Sequence, residues 1–346
     1  MVIAGMIRLR SGPSCPPSPR RNGQKLTANM PDPVATGIAE PSFGLVILNW
    51  NNGVDTIGCL QALAACTPRP ERVVVVDNGS TDDSLVRVRQ WRAELGTALS
   101  DGWLETIAAG ANLGFAGGSN LGVAHLLALT DVSHVMLLNN DALVTPQFFA
   151  DLRTSLLLAP DAGVMGTTIR ESREPNKVWY AGGIEYPLRA LVQHVREMPE
   201  SMEPRATDFV SGCVMVISRK VLNSIGLLDE CYFPAYFEDS DYCHRTRRAG
   251  FSVIYAPLPV AYHNEGATIR AAQLELPLVF HKNRLRVIYV RRNYRGLTRA
   301  FALTYLLVTK PVRALVDTVL GRPREGWAVF RGAAAGFVAT SIGRPG

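Results

Sequence analysis

The sequence predicts an α/β fold in which a Rossmann-like, mostly parallel sheet carries helices on both faces. Short, continuous apolar runs such as Phe43–Asn49 and Arg72–Asp77 alternate with helix-prone stretches. Continuous apolar runs are typical of strands buried on both faces, and their alternation with helices of this length favours parallel pairing. Polar residues also follow each of the first four predicted strands, which is where ligands bind in such sheets.

The alternation covers the first half of the chain and then changes. In order, the sequence predicts strand Phe43–Asn49, helix Val54–Ala65, strand Arg72–Asp77, helix Asp82–Leu95, strand Leu104–Ala108, helix Gly117–Leu129 and strand His134–Asn139. After Asp161, strand-like runs at 163–169, 178–180, 184–194 and 209–217 follow one another without long helices. A short helix over Arg219–Leu228 and a strand over Phe251–Tyr255 come next. We expect a mixed part of the sheet plus an insertion there.

Length and composition restrict the class of protein. At 346 residues and 47% apolar content, the chain can bury the core of one large domain or two. The six cysteines show no metal-finger spacing, so we expect reduced thiols and no zinc site. No run reaches the roughly 18 apolar residues of a membrane span, and the N-terminus lacks the apolar core of a signal peptide. A cytoplasmic protein is expected.

Charge and composition divide the chain into three parts. Residues 1–41 hold seven prolines and no hydrophobic periodicity, which predicts a disordered leader and leaves Met30 as an alternative start. Residues 42–276 hold 18 Lys and Arg against 26 Asp and Glu, whereas residues 277–346 hold 13 against 2. The acidic body argues against nucleic acid as a substrate. The basic, helix-prone tail suits either an anionic membrane surface or a helical hairpin packed on the body or at a homo-oligomer interface, with arginines as its solvated face.

Four predicted strand ends carry polar residues that we expect to share one crevice. They are Asn49-Trp50-Asn51, Asp77-Asn78-Gly79-Ser80, the run from Asn112 through Gly114, Gly117 and Gly118, and Asn139-Asn140-Asp141. Each has a simpler interpretation as a turn, a helix cap or a glycine-rich loop. The carboxyl ends of parallel strands meet at one edge of a sheet. One shared ligand site therefore explains all four polar strand ends more simply than four unrelated turns, caps or loops.

Three carboxylates within four residues form a second candidate site. Glu238, Asp239 and Asp241 lie close together, which is costly unless a proton, a metal or a cation takes up the charge. The alternative is an acidic first turn of a helix. Further along, His263 precedes Asn264 and Glu265 at another predicted strand end. Two neighbouring aromatic residues, Trp179 and Tyr180, line a groove or belong to the core.

Six segments, taken in order, resemble the motif series of glycosyltransferase family 2, especially its rhamnosyltransferase-like branch. They are VVVVDNGSTDDS, ANLGFAGGSNLGV, MLLNNDALV, DFVSGCVMVISRKVLNSIGLLDE, YFEDSDYCHRTRRAGF and AYHNEGAT. The resemblance implies a GT-A fold over residues 42–276, with a nucleotide-sugar-binding half at 42–141 and an acceptor and catalytic half at 142–276. It also implies a nucleotide-diphospho-sugar donor, a divalent cation (Mg²⁺ or Mn²⁺) and inversion at the anomeric carbon.

The resemblance also implies roles for single residues. Asp239 would be the general base, with Glu238 beside it and Asp241 as a supporting acid. Donor-binding residues would be Asn49, Asn51, Asp77, Asn78, Asn112, Gly114, Gly118, Asn139 and Asn140, and metal contacts would come from Asp141 and His263. Apart from the resemblance, the groove interpretation of Trp179 and Tyr180 would make them acceptor-side or supporting residues, as Asp241 would also be. Where the family's DXD motif supplies two carboxylates, Asn139-Asn140-Asp141 supplies one, so the cation would depend on few protein ligands.

The expected reaction is transfer of a sugar, first L-rhamnose from dTDP-rhamnose, to a glycan or lipid-linked acceptor in cell-surface polysaccharide synthesis. UDP-galactofuranose and other UDP- or GDP-sugars are alternative donors. A catalytically silent sugar-binding or scaffold protein is a rival from another class. An NAD-dependent oxidoreductase or a methyltransferase is a weaker rival, because the first strand runs into Asn49-Trp50-Asn51 and not into GxGxxG.

Overall fold

A ten-stranded mixed sheet forms the centre of the part of the chain that the structure describes. The structure is a computed structural model, and it describes residues 40–95, 102–264 and 275–340. The predicted leader, the alternative start at Met30 and Glu265 after His263 lie outside the described residues, apart from the last two leader positions.

The first half of the sheet is a run of alternating strands and helices. Its elements are β1 (Phe43–Asn49), α1 (Gly53–Ala64), β2 (Arg72–Asp77), α2 (Ser84–Leu95), β3 (Leu104–Ala108), α3 (Gly114–Leu129) and β4 (His134–Asn139). These four strands pair in parallel in the order β4-β1-β2-β3. Their ends therefore meet at one edge, as the sequence predicts.

The second half adds strands of both directions. Its elements are β5 (Ala142–Val144), α4 (Phe148–Leu158), β6 (Ala162–Glu171), β7 (Val178–Tyr180), β8 (Gly183–Tyr186), β9 (Leu191–His194), β10 (Arg205–Ala206), β11 (Val214–Ser218), α5 (Arg219–Ile225), α6 (Glu238–Arg248) and β12 (Ser252–His263). β11 lies antiparallel between β4 and β6, and β12 runs parallel to β6. The hairpin β8–β9 forms a separate two-stranded sheet.

Alternate side chains of the parallel strands fill two cores, one on each face of the sheet. Leu45 and Ile47 of β1 pack with α1, whereas Val46 packs with α3. Helix α3 approaches closely because it contains glycines: a Cβ at Gly118 would lie 2.4 Å from Leu48 Cδ1. Gly117 and Gly118 are helical, as the predicted helix from Gly117 requires, so the alternative interpretation as a glycine-rich loop is wrong for them. Gly118 is small because the helix lies against the sheet there.

Three helices follow the sheet: α7 (Glu275–Asn293), α8 (Gly296–Val319) and α9 (Pro323–Val338). Glycines bring α9 close to both of the others, since a Cβ at Gly326 would lie 2.4 Å from the carbonyl oxygen of Ala314 and one at Gly332 would lie 2.3 Å from that of Phe280. Within the described ranges, no helix is both long and apolar enough to cross a bilayer.

A third apolar core joins these helices to the rest of the protein. Leu285, Ile288 and Tyr289 of α7 pack in it with Tyr232 and Phe237, which precede α6. The arginines of α7 are not a solvated face, as one interpretation of the sequence had it. Arg286 donates to the carbonyl of Ala190, Arg291 to those of Gly336, Phe337 and Ala339, and Arg292 pairs with Asp229.

Candidate active site

The carboxylate cluster lies at the start of α6, after two residues with unusual backbone angles. Tyr236 and Phe237 have φ values of 88° and 73°. Positive φ is rare for bulky residues and persists only where the surroundings enforce it. Helix α7 supplies those surroundings, because the ring of Tyr289 lies 5.4 Å from that of Phe237 and Lys282 Nζ lies 5.1 Å from that of Tyr236. The turn that presents the carboxylates is therefore held by a C-terminal helix.

Asp239 is half-buried and faces the turn before β11. Its Oδ2 accepts a hydrogen bond of 3.1 Å from the backbone N–H of Gly212, and its Oδ1 accepts one of 2.6 Å from that of Ser240. Backbone donors hold a carboxylate in one orientation without neutralising its charge. Asp239 keeps part of its surface accessible, so it is placed to accept a proton from a neighbouring group.

Glu238 lies next to Asp239 but differs in its surroundings. Its side chain is buried, and its Oε2 finds no hydrogen-bond partner among the described residues. Burial first, and the negative charge of Asp239 second, raise the pKa of Glu238 well above its ordinary value. Both effects favour the protonated form of Glu238.

Asp241 is fully buried and belongs to the framework of the site. It receives hydrogen bonds from Arg245 Nε at 2.8 Å, Asn293 Nδ2 at 2.8 Å and the hydroxyl of Tyr232 at 3.1 Å. Since no part of its side chain reaches the surface, an acceptor-side contact is excluded and the supporting interpretation fits. Asp241 ties the first turn of α6 to α7.

Asp141 and His263 meet at the ends of β4 and β12. His263 Nε2 lies 3.1 Å from Asp141 Oδ1, and both side chains are less than a tenth exposed. The backbone N–H of Asn264 donates to the carbonyl of Asp141, and β12 pairs with β5 just beside the contact. Burial lowers the pKa of His263, but Cys213 and Asp141 beside it raise that pKa to about 11. Without another cation, the two side chains form an ion pair.

The donor atoms of this pair fit a divalent cation that is completed by a substrate. Asp141 Oδ1 is buried and accepts no hydrogen bond from the described residues, because the contact with His263 lacks hydrogen-bond geometry. Within the described ranges, no cluster of three or more His, Cys, Asp or Glu side chains is arranged to hold a metal. Two protein ligands suit Mg²⁺ or Mn²⁺, since such ions commonly take their remaining ligands from phosphate and water.

A buried hydrogen-bond network connects Asp77 to the loop that carries Asp141. Asn49 Nδ2 donates to Asp77 Oδ1 at 2.8 Å, and Thr56 Oγ1 donates to Asn49 Oδ1 at 2.7 Å. Asn140 Nδ2 then donates to Thr56 Oγ1 at 3.0 Å. Asn49 and Asn140 are buried. Their amides therefore fix the position of the Asp77 carboxylate relative to the loop that carries Asp141.

The other predicted donor residues surround Asp77. Asn51 is exposed and its Oδ1 accepts a hydrogen bond from the N–H of Thr81 at 2.7 Å. Asn78 is buried and donates both to Asn112 Oδ1 and to the carbonyl of Gly114, each at 3.2 Å. Gly114 opens α3 with a φ of 72°, which a side chain would strain. Asn139 is partly exposed at the end of β4.

Backbone contacts join the donor-side loops to the carboxylate turn. The N–H of Phe115 donates to the carbonyl of Pro234 at 2.7 Å, three residues before Phe237. The N–H of Asn139 donates to the carbonyl of Cys213 at 2.9 Å, and Gly212 donates to Asp239. The structure therefore links the segments around positions 77, 141, 239 and 263 by short contacts at one edge of the sheet.

The two aromatic residues of β7 have different positions. Trp179 packs edge-on against His263, with ring centroids 4.8 Å apart, and is 8% exposed. Tyr180 is fully buried and donates to the carbonyl of Phe209. The groove interpretation is wrong for Tyr180, because a side chain without exposed atoms cannot line a groove.

Four residues of the site have no assigned role in the sequence prediction. Thr56 bridges two amides, Gly212 orients Asp239, Cys213 lies beside His263, and Asn293 reaches Asp241 from α7. Gly212 and Cys213 fall within the quoted motif that begins DFVSGCVMVISRK, so the sequence could have marked both as candidate site residues. Nothing local marks Thr56 or Asn293, since their roles depend on contacts between distant segments.

The fold is that of GT-A glycosyltransferases. The mannosyltransferase PcManGT from Pyrobaculum calidifontis, solved with GDP-Man and Mn²⁺, matches with a TM-score of 0.53 at 16% identity over 88% of this chain and 89% of that one. GalNAc-T7, solved with UDP, GalNAc and Mn²⁺, matches with a TM-score of 0.55 at 13% identity over 82% of this chain and 58% of that one. At these identities the likeness establishes the fold alone.

The sequence comparison gives the family. The family model described as "Glycosyltransferase like family 2" matches residues 41–286, and the chain belongs to this family. The hexosyltransferase Agl10 of low-salt glycan biosynthesis from Haloferax volcanii is 27% identical over 64% of this chain and 67% of its own length. The N-acetylglucosaminyl-diphospho-decaprenol L-rhamnosyltransferase of Mycobacterium tuberculosis is 26% identical over 64% of this chain and 75% of its own. The predicted family and fold are confirmed, and the protein is a glycosyltransferase.

Proposed function

We propose that this protein transfers a hexose, with inversion, from a nucleotide-diphospho-sugar to a hydroxyl group of a glycan or lipid-linked acceptor. The observation that carries the proposal is the position of Asp239. Its half-buried carboxylate is oriented by the N–H of Gly212, and the carbonyl of the next residue, Cys213, accepts a hydrogen bond from Asn139, two residues before Asp141. A single in-line displacement needs a base for the acceptor hydroxyl and charge stabilisation for the leaving diphosphate, which are the roles proposed for Asp239 and for the Asp141–His263 pair.

Asp239 serves as the general base. The acceptor hydroxyl loses a proton as it attacks the anomeric carbon, and Asp239 receives that proton while the bond to the nucleoside diphosphate breaks. A general base contributes about 10²–10⁴ in rate. Glu238 is less suited to this role, because its carboxyl group is buried and its raised pKa favours the protonated form.

Asp141 and His263 would hold a divalent cation beside the donor diphosphate. Such a cation would supply Lewis-acid chemistry that offsets the charge of the leaving diphosphate. The Mn²⁺ in the solved structures of PcManGT and GalNAc-T7 supports a divalent ion for this fold. The single carboxylate of Asn139-Asn140-Asp141 implies that the diphosphate supplies several of the ligands.

The donor nucleoside lies along the ends of β1 and β2. Asp77 contacts the nucleobase, with Asn49 holding its carboxylate and the exposed Asn51 beside it. Asn78, Asn112 and Gly114 form the wall opposite, and Gly118 supports this wall from the second turn of α3 by lying against Leu48 and Asn78. Asn139 and Asn140 lie on the diphosphate side. These roles come from the family resemblance, and the hydrogen-bond network that fixes these side chains supports them.

The first candidate for the donor is dTDP-rhamnose. The name of the mycobacterial relative, an L-rhamnosyltransferase with a diphospho-decaprenol acceptor, supports both rhamnose and a lipid-linked acceptor in cell-surface polysaccharide synthesis. UDP-galactofuranose and other UDP- or GDP-sugars are the alternative donors. The expected location is the cytoplasm, at the face of the membrane where such acceptors are presented.

A nucleotide screen tests this proposal. The melting temperature of the purified chain is measured with dTDP, UDP, GDP and ADP, each with Mg²⁺, with Mn²⁺ and with EDTA. We expect the largest increase with dTDP, and only when a divalent cation is present. Release of dTDP from dTDP-rhamnose is then followed with and without an acceptor. A protein that no nucleoside diphosphate stabilises, and that releases none from any nucleotide-sugar, would be the silent scaffold of the rival hypothesis.

A further inference from the structure

Helix α8 carries an apolar stripe that faces away from the rest of the described structure. Exposed positions recur every three or four residues along it, at Leu297, Phe301, Thr304, Val308, Val312, Leu315 and Val319. Its opposite side, with Ala302, Leu306 and Asp317, is buried. At 1.5 Å per residue, the stripe is about 33 Å long. It contains no charged residue.

Exposed apolar side chains concentrate in this part of the described structure. Of the 23 large hydrophobic residues exposed there, 12 lie within residues 297–338, and the six apolar members of the stripe are between 57% and 78% exposed. On α9, Trp327 is 58% exposed and its ring stacks on that of Phe330 at 5.8 Å. Isolated exposed apolar residues need no explanation, but a continuous uncharged face of this length marks an interaction surface.

Positive charge surrounds the stripe. Arg295 and Arg299 are exposed at the start of α8, and Arg322, Arg324 and Arg331 are exposed beyond its end. Residues 276–340 hold two acidic residues, Asp317 and Glu325. Asp317 is buried, and its carboxylate is paired with Arg313 and Arg322. The rim of the apolar face is therefore net positive.

We propose that the stripe of α8, with Trp327 and Phe330 of α9, is a docking surface for an anionic lipid bilayer, on which α8 lies in the plane of the membrane. An uncharged helix face with basic residues at its edges matches acyl chains below and anionic headgroups around them. Tryptophan favours the headgroup region. A second copy of the chain is a poorer occupant, because a symmetric contact would bring the arginine rims of two copies together.

Flotation with lipid vesicles tests the proposal. The full chain is mixed with vesicles of phosphatidylcholine alone or with added phosphatidylglycerol, and its distribution in a density gradient is measured without any donor or acceptor. We expect the parent to float with the anionic vesicles. The triple variant Phe301→Glu, Val308→Glu, Leu315→Glu should remain at the bottom, because three carboxylates then interrupt the stripe.

A matched control carries the same three new charges elsewhere. Val86, Leu129 and Leu158 are exposed apolar residues at 54%, 44% and 54% on α2, α3 and α4, and Val86→Glu, Leu129→Glu, Leu158→Glu should float like the parent. The variant Arg299→Gln, Arg324→Gln, Arg331→Gln should lose about 100-fold of its affinity for the anionic vesicles, since it removes three basic residues that are attracted to the anionic surface.

The outcomes separate the possible occupants. Equal flotation of the parent and the stripe variant overturns the proposal. So does a parent that does not float, because the face is then covered by a second copy or by the chain itself. In that case, light scattering that finds a dimeric parent and a monomeric stripe variant identifies the second copy. The docking surface deepens the proposed function but needs no catalysis, and the nucleoside diphosphate stabilisation of each variant reports on the donor site independently.

Discussion

Two adjacent carboxyl groups at the start of α6 have opposite states because of their surroundings. Asp239 accepts hydrogen bonds from two backbone N–H groups and is partly exposed, whereas Glu238 is buried with one oxygen unpaired among the described residues. Keeping Glu238 protonated avoids two negative charges on neighbouring side chains. One turn of helix thus holds a partly exposed carboxylate beside a buried carboxyl group whose protonated form is favoured.

The raised pKa of Glu238 predicts a pH dependence of stability. Between the ordinary glutamate pKa and the raised value, the folded chain retains a proton that the unfolded chain loses, so the free energy of unfolding falls as pH rises. Glu238→Gln has the shape of the protonated side chain and removes this loss. We expect the variant to be more stable than the parent at pH 8, and by a smaller margin at pH 5.

Urea denaturation at the two pH values measures this difference. Glu238→Ala is the control for packing, because it removes the carboxyl group but leaves a cavity and should be destabilised at both pH values. A glutamine variant that is less stable than the parent at pH 8 would show that Glu238 is ionised in the folded protein.

Replacement of Asp141 should affect donor binding through the cation. Asp141→Ala should weaken donor binding in the presence of Mg²⁺ and have little effect on binding in EDTA, since the carboxylate acts through the metal. Calorimetric titration of the nucleoside diphosphate under both conditions measures the two affinities. Asp131→Ala, which removes an exposed carboxylate just before β4, is the control and should leave both affinities unchanged. Unchanged affinity of Asp141→Ala with Mg²⁺ would remove this residue from the metal site.

At the scale of elements, α7 supports the turn that carries Asp239. Its Tyr289 and Lys282 lie against Phe237 and Tyr236, whose backbone angles are strained, and its Asn293 donates to the buried Asp241. Strained backbone persists where neighbouring elements enforce it. A C-terminal helix outside the sheet is therefore part of the framework of the catalytic site.

Asn293 tests this support as a positioning residue. Asn293→Ala removes a hydrogen bond to a buried carboxylate, which should cost about 1.5–3 kcal/mol in the free energy of unfolding. It should also lower kcat while leaving the KM for the donor nearly unchanged, because the first turn of α6 shifts and the donor loops do not.

Asn283 provides the matched control for that variant. It lies on the same helix and bonds to Lys310 and to the carbonyl of Val279, away from α6. Asn283→Ala should lower stability but keep kcat. Equal losses of kcat in the two variants would mean that α7 contributes stability only.

At the scale of the whole molecule, the first four strands were predictable and the later ones less so. The bounds of β1, β2, β3 and β4 agree with the predicted ones, because each strand is an apolar run bounded by polar turns. β12 was predicted as two pieces, since Pro257 and Pro259 interrupt it. The structure has one strand of 12 residues with a register shift between Ala256 and Val260 that accommodates both prolines.

The positions of candidate site residues were predictable where those residues end strands. They were not predictable where a residue's place depends on contacts between distant segments. Asp77, Asp141 and His263 were found because polar side chains at strand ends have a known place in a parallel sheet. Thr56, Asn293 and the burial of Tyr180 depend on packing between segments far apart in sequence. The exposed stripe of α8 could not be predicted either, because periodicity shows that a helix has an apolar face but not whether that face is covered.

The most direct test of the account is the transfer rate of Asp239→Asn. Asparagine keeps the shape of the side chain but cannot take up the proton of the acceptor hydroxyl. We predict that kcat for sugar transfer falls by about 10²–10⁴, while the affinity for the nucleoside diphosphate in the presence of Mg²⁺ stays within the error of the measurement. A variant that transfers sugar at nearly the parental rate would contradict the assignment of Asp239 as the base.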